Sequence, residues 1–246
     1  MAYTLAQFKE IETNGFDLTL PAAVVEAIRA LASIVGAVSY SPTPVFPKPV
    51  GKQGQFGEVV GLLNKLTADS YDKISANVIA VIDHFDPAET EKLCEAIFGI
   101  ASGNRFYSKL YANLCKELCR YPVFKEIMNK RCGAIEFSEL TSEARALTLF
   151  LGNLAINGAI PQEVAVRAAQ ELQRLVEDNL DSAEKKPQIE EWTEHLALLL
   201  TISKQFKAAC GLDDRLLKIS KLPHKAHPGL SVKTVFRYLD ILEHFN

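Results

Sequence analysis

Helix starts and stops punctuate the chain from residue 19 to its end, and no segment alternates polar and apolar residues as a half-buried strand requires. The strongest start is Asp86-Pro87-Ala88-Glu89. An acidic N-cap, a proline at the first helical position and a glutamate at the third let cap and glutamate satisfy each other's free amides. Leu93, Ile97 and Ile100 then supply the apolar stripe. The same grammar recurs on both sides. Thr67 caps a helix carrying Ile74, Val78, Val81, Ile82 and Phe85. Asn104 opens a helix to about Arg120, and Pro122 opens another to about Lys130. Thr141 caps 142–157, which Asn157-Gly158 stops, and Pro161 begins a helix to Leu180. Pro187 begins a long helix that Gly211 breaks, and helices over 213–221 and 231–245 close the chain.

Such helices, joined by short turns, form antiparallel pairs of roughly 35–45 residues, the size of a HEAT-type repeat. The expected fold is all-α: a HEAT-like solenoid of about five antiparallel helix pairs, with an irregular bundle as the alternative. Three parts are expected. Residues 1–40 form an N-terminal helical element, with Thr19 and Pro21 opening a helix through Val24, Ile28, Leu31, Val35 and Val38. Residues 41–55 are a Pro/Gly-rich linker, and 56–246 are the solenoid.

The five cysteines are odd in number and include no CxxC pair, which fits a reduced intracellular chain rather than a disulfide scaffold. No zinc-ligand spacing and no cofactor motif occurs. The longest apolar run, 30–38, is too short to span a membrane, and the acidic N-terminus lacks a signal core, so the expected location is the cytoplasm with no membrane partner. GKQGQFG follows no strand and is not a phosphate-binding loop. His84 and His195 have no partner four residues on, and His224 and His227 lie in a loop. Cys115 and Cys119 lack a histidine spaced to activate them, and Trp192 is expected in the core. An enzyme is therefore not expected; an all-α hydrolase is the remote alternative.

Five segments in order resemble one family. Leu63-Asn64-Lys65-Leu66-Thr67 followed by Tyr71, then EAIFGIASGNRFYSKLYANLC (95–115), LFLGNLAINGAIPQEV (149–164), EHLALLLTISKQF (194–206) and KTVFRYLDILEHF (233–245), resemble the middle domain of eukaryotic translation initiation factor 4 gamma. The resemblance covers about four-fifths of the chain. It departs from the family at 132–141, a short connection where animal relatives carry a long charged insertion. Tyr3 is followed by Phe8 and Lys9, which breaks the family's pattern for the cap-binding subunit and argues against direct contact with that subunit. A cellular paralogue and a large-virus copy both remain open. The resemblance implies a scaffold that grips the DEAD-box RNA helicase of the cap-binding initiation complex, holding its two lobes half closed and speeding its ATPase cycle. It places helicase contacts at Leu63, Leu66, Tyr71 and Phe236, with Phe46 on an aromatic–Lys–Pro arm. The two leucines, at helical spacing, read equally well as core. The family's relatives also include translation and RNA-processing adaptors with other partners.

RNA is the second expected partner. The net charge of −3 hides a balance of +5 over 104–133 and another +5 over 201–233. Arg105, Lys109, Lys116 and Arg120 fall within about 60° of one helix face at 100° per residue, with Phe106, Leu110, Leu114 and Leu118 opposite. Such a stripe suits salt-sensitive phosphate contact, or is simply a solvated face. Lys218, Lys221 and Lys225 form the second patch. Over 171–195, eight acids face three bases, which reads as a solvated exterior or a docking face.

Overall fold

The computed structural model describes residues 21–35 and 55–245. Thr19, Tyr3, Phe46 and nearly all of the expected linker lie outside the described residues. The chain divides into two units, Met1–Gly51 and Lys52–Asn246. In the first, α1 (Ala22–Val35) starts behind Pro21, whose carbonyl accepts from the Val24 and Val25 amides. Val24, Ile28 and Leu31 form an exposed apolar stripe along it.

The second unit is all-α, and no strand occurs among the described residues. Its helices are α2 (Gln55–Leu63), α3 (Tyr71–Ile82), α4 (Pro87–Gly103), α5 (Ser108–Leu118), α6 (Pro122–Gly133), α7 (Arg145–Asn157), α8 (Gln162–Asn179), α9 (Lys186–Leu200), α10 (Lys204–Cys210), α11 (Asp213–Ser220) and α12 (Val232–Glu243). Packing runs between near neighbours in the chain: α2 on α3 and α4, α5 on α7, α7 on α8 and α9, α8 on α10, α9 on α12 and α11 on α12. Contact that propagates from pair to pair in this way is solenoid-like. Five sequential pairs are discernible, α2/α3, α4/α5, α7/α8, α9/α10 and α11/α12, with α6 packed against α4 as an addition. One continuous apolar core threads them, from Leu63 and Val78 through Leu114 and Phe150 to Trp192 and Tyr238.

The strongest sequence signals act as expected. The Glu89 amide donates to Asp86 Oδ1 at 2.7 Å and the Asp86 amide donates to Glu89 Oε2 at 3.1 Å, closing the capping box. Gly158 (φ 81°) and Gly211 (φ 63°) end α7 and α10 in the left-handed conformation that a side chain disfavours. Other boundaries differ. The 104–120 segment is not one helix: a 3₁₀ turn, Arg105–Tyr107, precedes α5, and Arg120 lies in the turn beyond it. Thr67 does not cap α3. Its hydroxyl joins Ser70 at 2.9 Å instead, and the helix opens at Tyr71. Thr141 makes no cap bond, and α7 begins after a 3₁₀ turn at Ser142–Ala144. The expected 187–210 helix breaks at 201–203, where Ser203 Oγ accepts from the Phe206 amide and starts α10. His84 falls in the turn after α3.

Candidate functional site

The first helix pair does not present the leucines of LNKLT. Leu63 is 0% and Leu66 3% exposed. They are core residues. The Leu63 carbonyl accepts from the Tyr111 hydroxyl at 2.7 Å, which ties α2 to α5. Tyr71 is half-buried, and its hydroxyl donates to Glu117 Oε1 at 2.8 Å. Burial first, then this carboxylate, push the phenol far above its ordinary range, so it stays a neutral donor.

The last helix behaves differently. Phe236 stands 61% exposed on α12, and Val232, one turn earlier on the same face, is 47% exposed. Beside them Arg237 is tied to Glu194 at 3.1 Å and Asp240 at 3.6 Å. Tyr71 and Phe236 are not brought together: α3 packs mainly on α2 and α5, α12 on α9 and α11.

Free and ion-paired charges alternate along the surface. Arg105, Lys109, Lys116, Arg120, Lys125 and Lys130 are exposed, and among the described residues none is ion-paired. Among the described residues, Arg131 alone of the 104–133 cations has a carboxylate, Glu95 at 3.1 Å. Lys218, Lys221 and Lys225 are likewise exposed and unpaired among the described residues. Their neighbours are engaged: Lys207 donates to the Ile241 and Leu242 carbonyls at the end of α12, where a cation complements the helix dipole. Lys233 pairs with Glu190, and Arg215 with Glu177. The acidic 171–195 tract is mostly compensated. Arg174 binds Glu171 and Asp178, and Arg145 binds Glu191. It therefore offers little free negative surface. A cleft of about 510 Å³ beside α6 and α8 is lined by Arg167, Arg174 and Arg215 over Val164 and Ala168, but two of its three guanidiniums are already held by carboxylates.

The nucleophile candidates are quiet. Burial pushes the Cys94, Cys132 and Cys210 thiols up to about 12 and Cys119 to about 11, with Cys115 also well above its usual value. They stay protonated at neutral pH, and a thiol is a poor nucleophile. His195 is fully buried. Its Nδ1 lies 2.7 Å from Thr148 Oγ1 and its Nε2 3.0 Å from the Thr141 carbonyl. That carbonyl only accepts, so Nε2 carries the proton and Nδ1 accepts from Thr148. Among the described residues no group of His, Cys, Asp and Glu is placed to hold a metal ion, and no helix is long and apolar enough to cross a membrane.

Two features escape the sequence reading. Phe106, expected to face inward with Leu110 and Leu114, is 80% exposed, and Tyr107 is 38% exposed. A basic, acid-free RFYSK segment was the available signal. The second is a polar chain running out from the core: Tyr238 donates to Gln173 Oε1 at 2.9 Å, Gln173 Nε2 donates to Glu177 Oε1 at 2.8 Å, and Arg215 holds the half-buried Glu177 in a fork at 3.0 and 2.6 Å. No protein family, curated protein or solved structure matches this chain.

Proposed function

We propose that the chain is a non-enzymatic cytoplasmic scaffold of translation initiation, which binds and stimulates a DEAD-box RNA helicase and contacts RNA. The observation that carries this reading is Phe236. A large ring left 61% exposed beside Val232, on the last helix, stands at the position where the family resemblance expects a helicase contact. A large exposed ring is the kind of side chain that can anchor a protein interface when a partner desolvates it. A scaffold that prefers the closing-competent arrangement of two helicase lobes shifts their population toward it, by no more than its difference in affinity for the two states. The unpaired cations of the 104–133 tract support the RNA contact, since free lysines and arginines release counterions when they meet phosphates. The test is a calorimetric titration of an initiation helicase, with its ATPase rate measured in parallel. Phe236→Ala should weaken binding about tenfold and lower the stimulation, in line with a truncated hot spot. Unchanged affinity sinks the assignment.

One observation favours a second reading. Leu63 and Leu66 are core, and Tyr71 spends its hydroxyl on Glu117, so the first pair offers less to a helicase than the resemblance implies. An adaptor of the same fold with another partner would keep the α12 contact and lose the first. Recovery of a partner other than a helicase on the Phe236 face would favour it.

A further inference from the structure

Phe106 is the most exposed large apolar side chain of the described residues, at 80%. It is nevertheless held in place. It sits in the 3₁₀ turn Arg105–Tyr107, whose start is capped: Asn104 Oδ1 accepts from the Phe106 amide at 3.1 Å. The turn packs against α7, and the next residue, Ser108, is buried and accepts from Asn153 Nδ2 at 2.9 Å. A lone exposed ring is ordinary on a protein surface, so a role for this one has to come from what surrounds it. Its surroundings supply one. The Arg105 guanidinium lies 5.0 Å from the ring centroid. Lys109 follows on the first turn of α5, and Lys116 is exposed further along. No acid occurs between Arg105 and Lys116, and the first beyond them, Glu117, is engaged by Tyr71.

A π-face bracketed by unpaired cations matches an unpaired base with its flanking phosphates. A protein partner would meet the ring equally well but has no need of the uncompensated charge. Duplex RNA hides its base faces. We infer that Phe106 is a stacking platform for a base of single-stranded RNA, with Arg105 and Lys109 taking the adjoining phosphates. This rests on the RNA contact proposed above and specifies its form.

The probe is a fluorescein-labelled oligouridylate, titrated by anisotropy over a salt series, with a duplex of equal length beside it. The variants are Phe106→Ala, Phe106→Leu and Phe106→Trp. The ring is exposed, so all three should keep the wild-type circular dichroism. Phe106→Ala should lose about fivefold or more in affinity for the single strand, the scale of one stacked base. Its log K against log salt slope should not change, because the ring carries no charge. Phe106→Trp should hold or gain affinity, and Phe106→Leu should resemble alanine. Duplex binding should be indifferent to all three. If wild type binds the single strand with a salt-sensitive affinity that Phe106→Ala leaves intact, the platform is wrong and the RNA contact survives. If leucine binds as tightly as phenylalanine, the contact is greasy rather than stacked and the inference fails. If Phe106→Ala weakens helicase binding while RNA binding holds, the ring belongs to a protein interface. If wild type binds no RNA at all, the RNA contact and the platform fall together.

Discussion

Gly229 keeps its place by having no side chain. Its amide donates to the Leu180 carbonyl at 2.8 Å, and a β-carbon there would sit 2.6 Å from the Asn179 carbonyl oxygen and 2.8 Å from those of Leu180 and Ser182. These are backbone atoms with little room to give. Gly229→Ala should therefore cost about 1–3 kcal/mol, as other overpacked sites do, read as a lower denaturant midpoint at unchanged slope. His195 offers a second test at this scale. Burial dominates in lowering its proton affinity below the ordinary 6.5, and Arg145 adds to it; the Thr141 carbonyl, Glu191 and Glu194 oppose. Between the folded value and 6.5 the unfolded chain binds the extra proton, so stability falls as pH drops through that window. The melting temperature of His195→Gln should decline less steeply than that of wild type on acidification from neutral pH. Parallel declines would mean that His195 does not set the response.

At the scale of elements, the chain Tyr238–Gln173–Glu177–Arg215 joins α12, α8 and α11. Tyr238 and Gln173 are fully buried. Tyr238→Phe keeps the ring and removes the donor, leaving Gln173 Oε1 without its partner. A loss of about 1–3 kcal/mol is expected in equilibrium unfolding, and a change within error would show that the hydroxyl is dispensable. This network was invisible beforehand, because residues 65 apart meet only once the stack has formed. What could be read from sequence was local. Asp86-Pro87-Ala88-Glu89, Gly158 and Gly211 fix helix ends through bonds and dihedrals within a few residues, and those ends are where the residues place them. Phe106 was misread because a single helical period was drawn through 104–120, whereas Asn104 winds the first three residues as a 3₁₀ turn and gives the ring a different direction from Leu110 and Leu114. Leu63 and Leu66 show the opposite ambiguity. Spacing alone cannot distinguish a contact leucine from a core one, and only neighbouring α3, α4 and α5 decide it.

At the scale of the whole molecule, the net charge of −3 conceals a division between free and spent charge. The acids of 171–195 are largely held by Arg174, Arg215, Arg145, Lys233 and Arg237, while Arg105, Lys109, Lys116 and Arg120 have no carboxylate partner among the described residues. Sequence counting located both tracts but had no means of saying which charges were already used. Replacing those four cations by glutamine should flatten the log K against log salt slope for single-stranded RNA by about 0.7 per lost phosphate contact. A slope equal to that of wild type would assign the four to solvent.

The buried thiols carry a last consequence. Cys94, Cys115 and Cys132 belong to α4, α5 and α6, and Cys210 to α10 further along the stack, all of them buried. A thiol reagent can reach them only when the surrounding helices part, so labelling reports how often each region breathes. The protein thus contains its own clocks. Cysteine modification, followed residue by residue, would time the opening of α4, α5 and α6 against that of α10 without a single introduced probe.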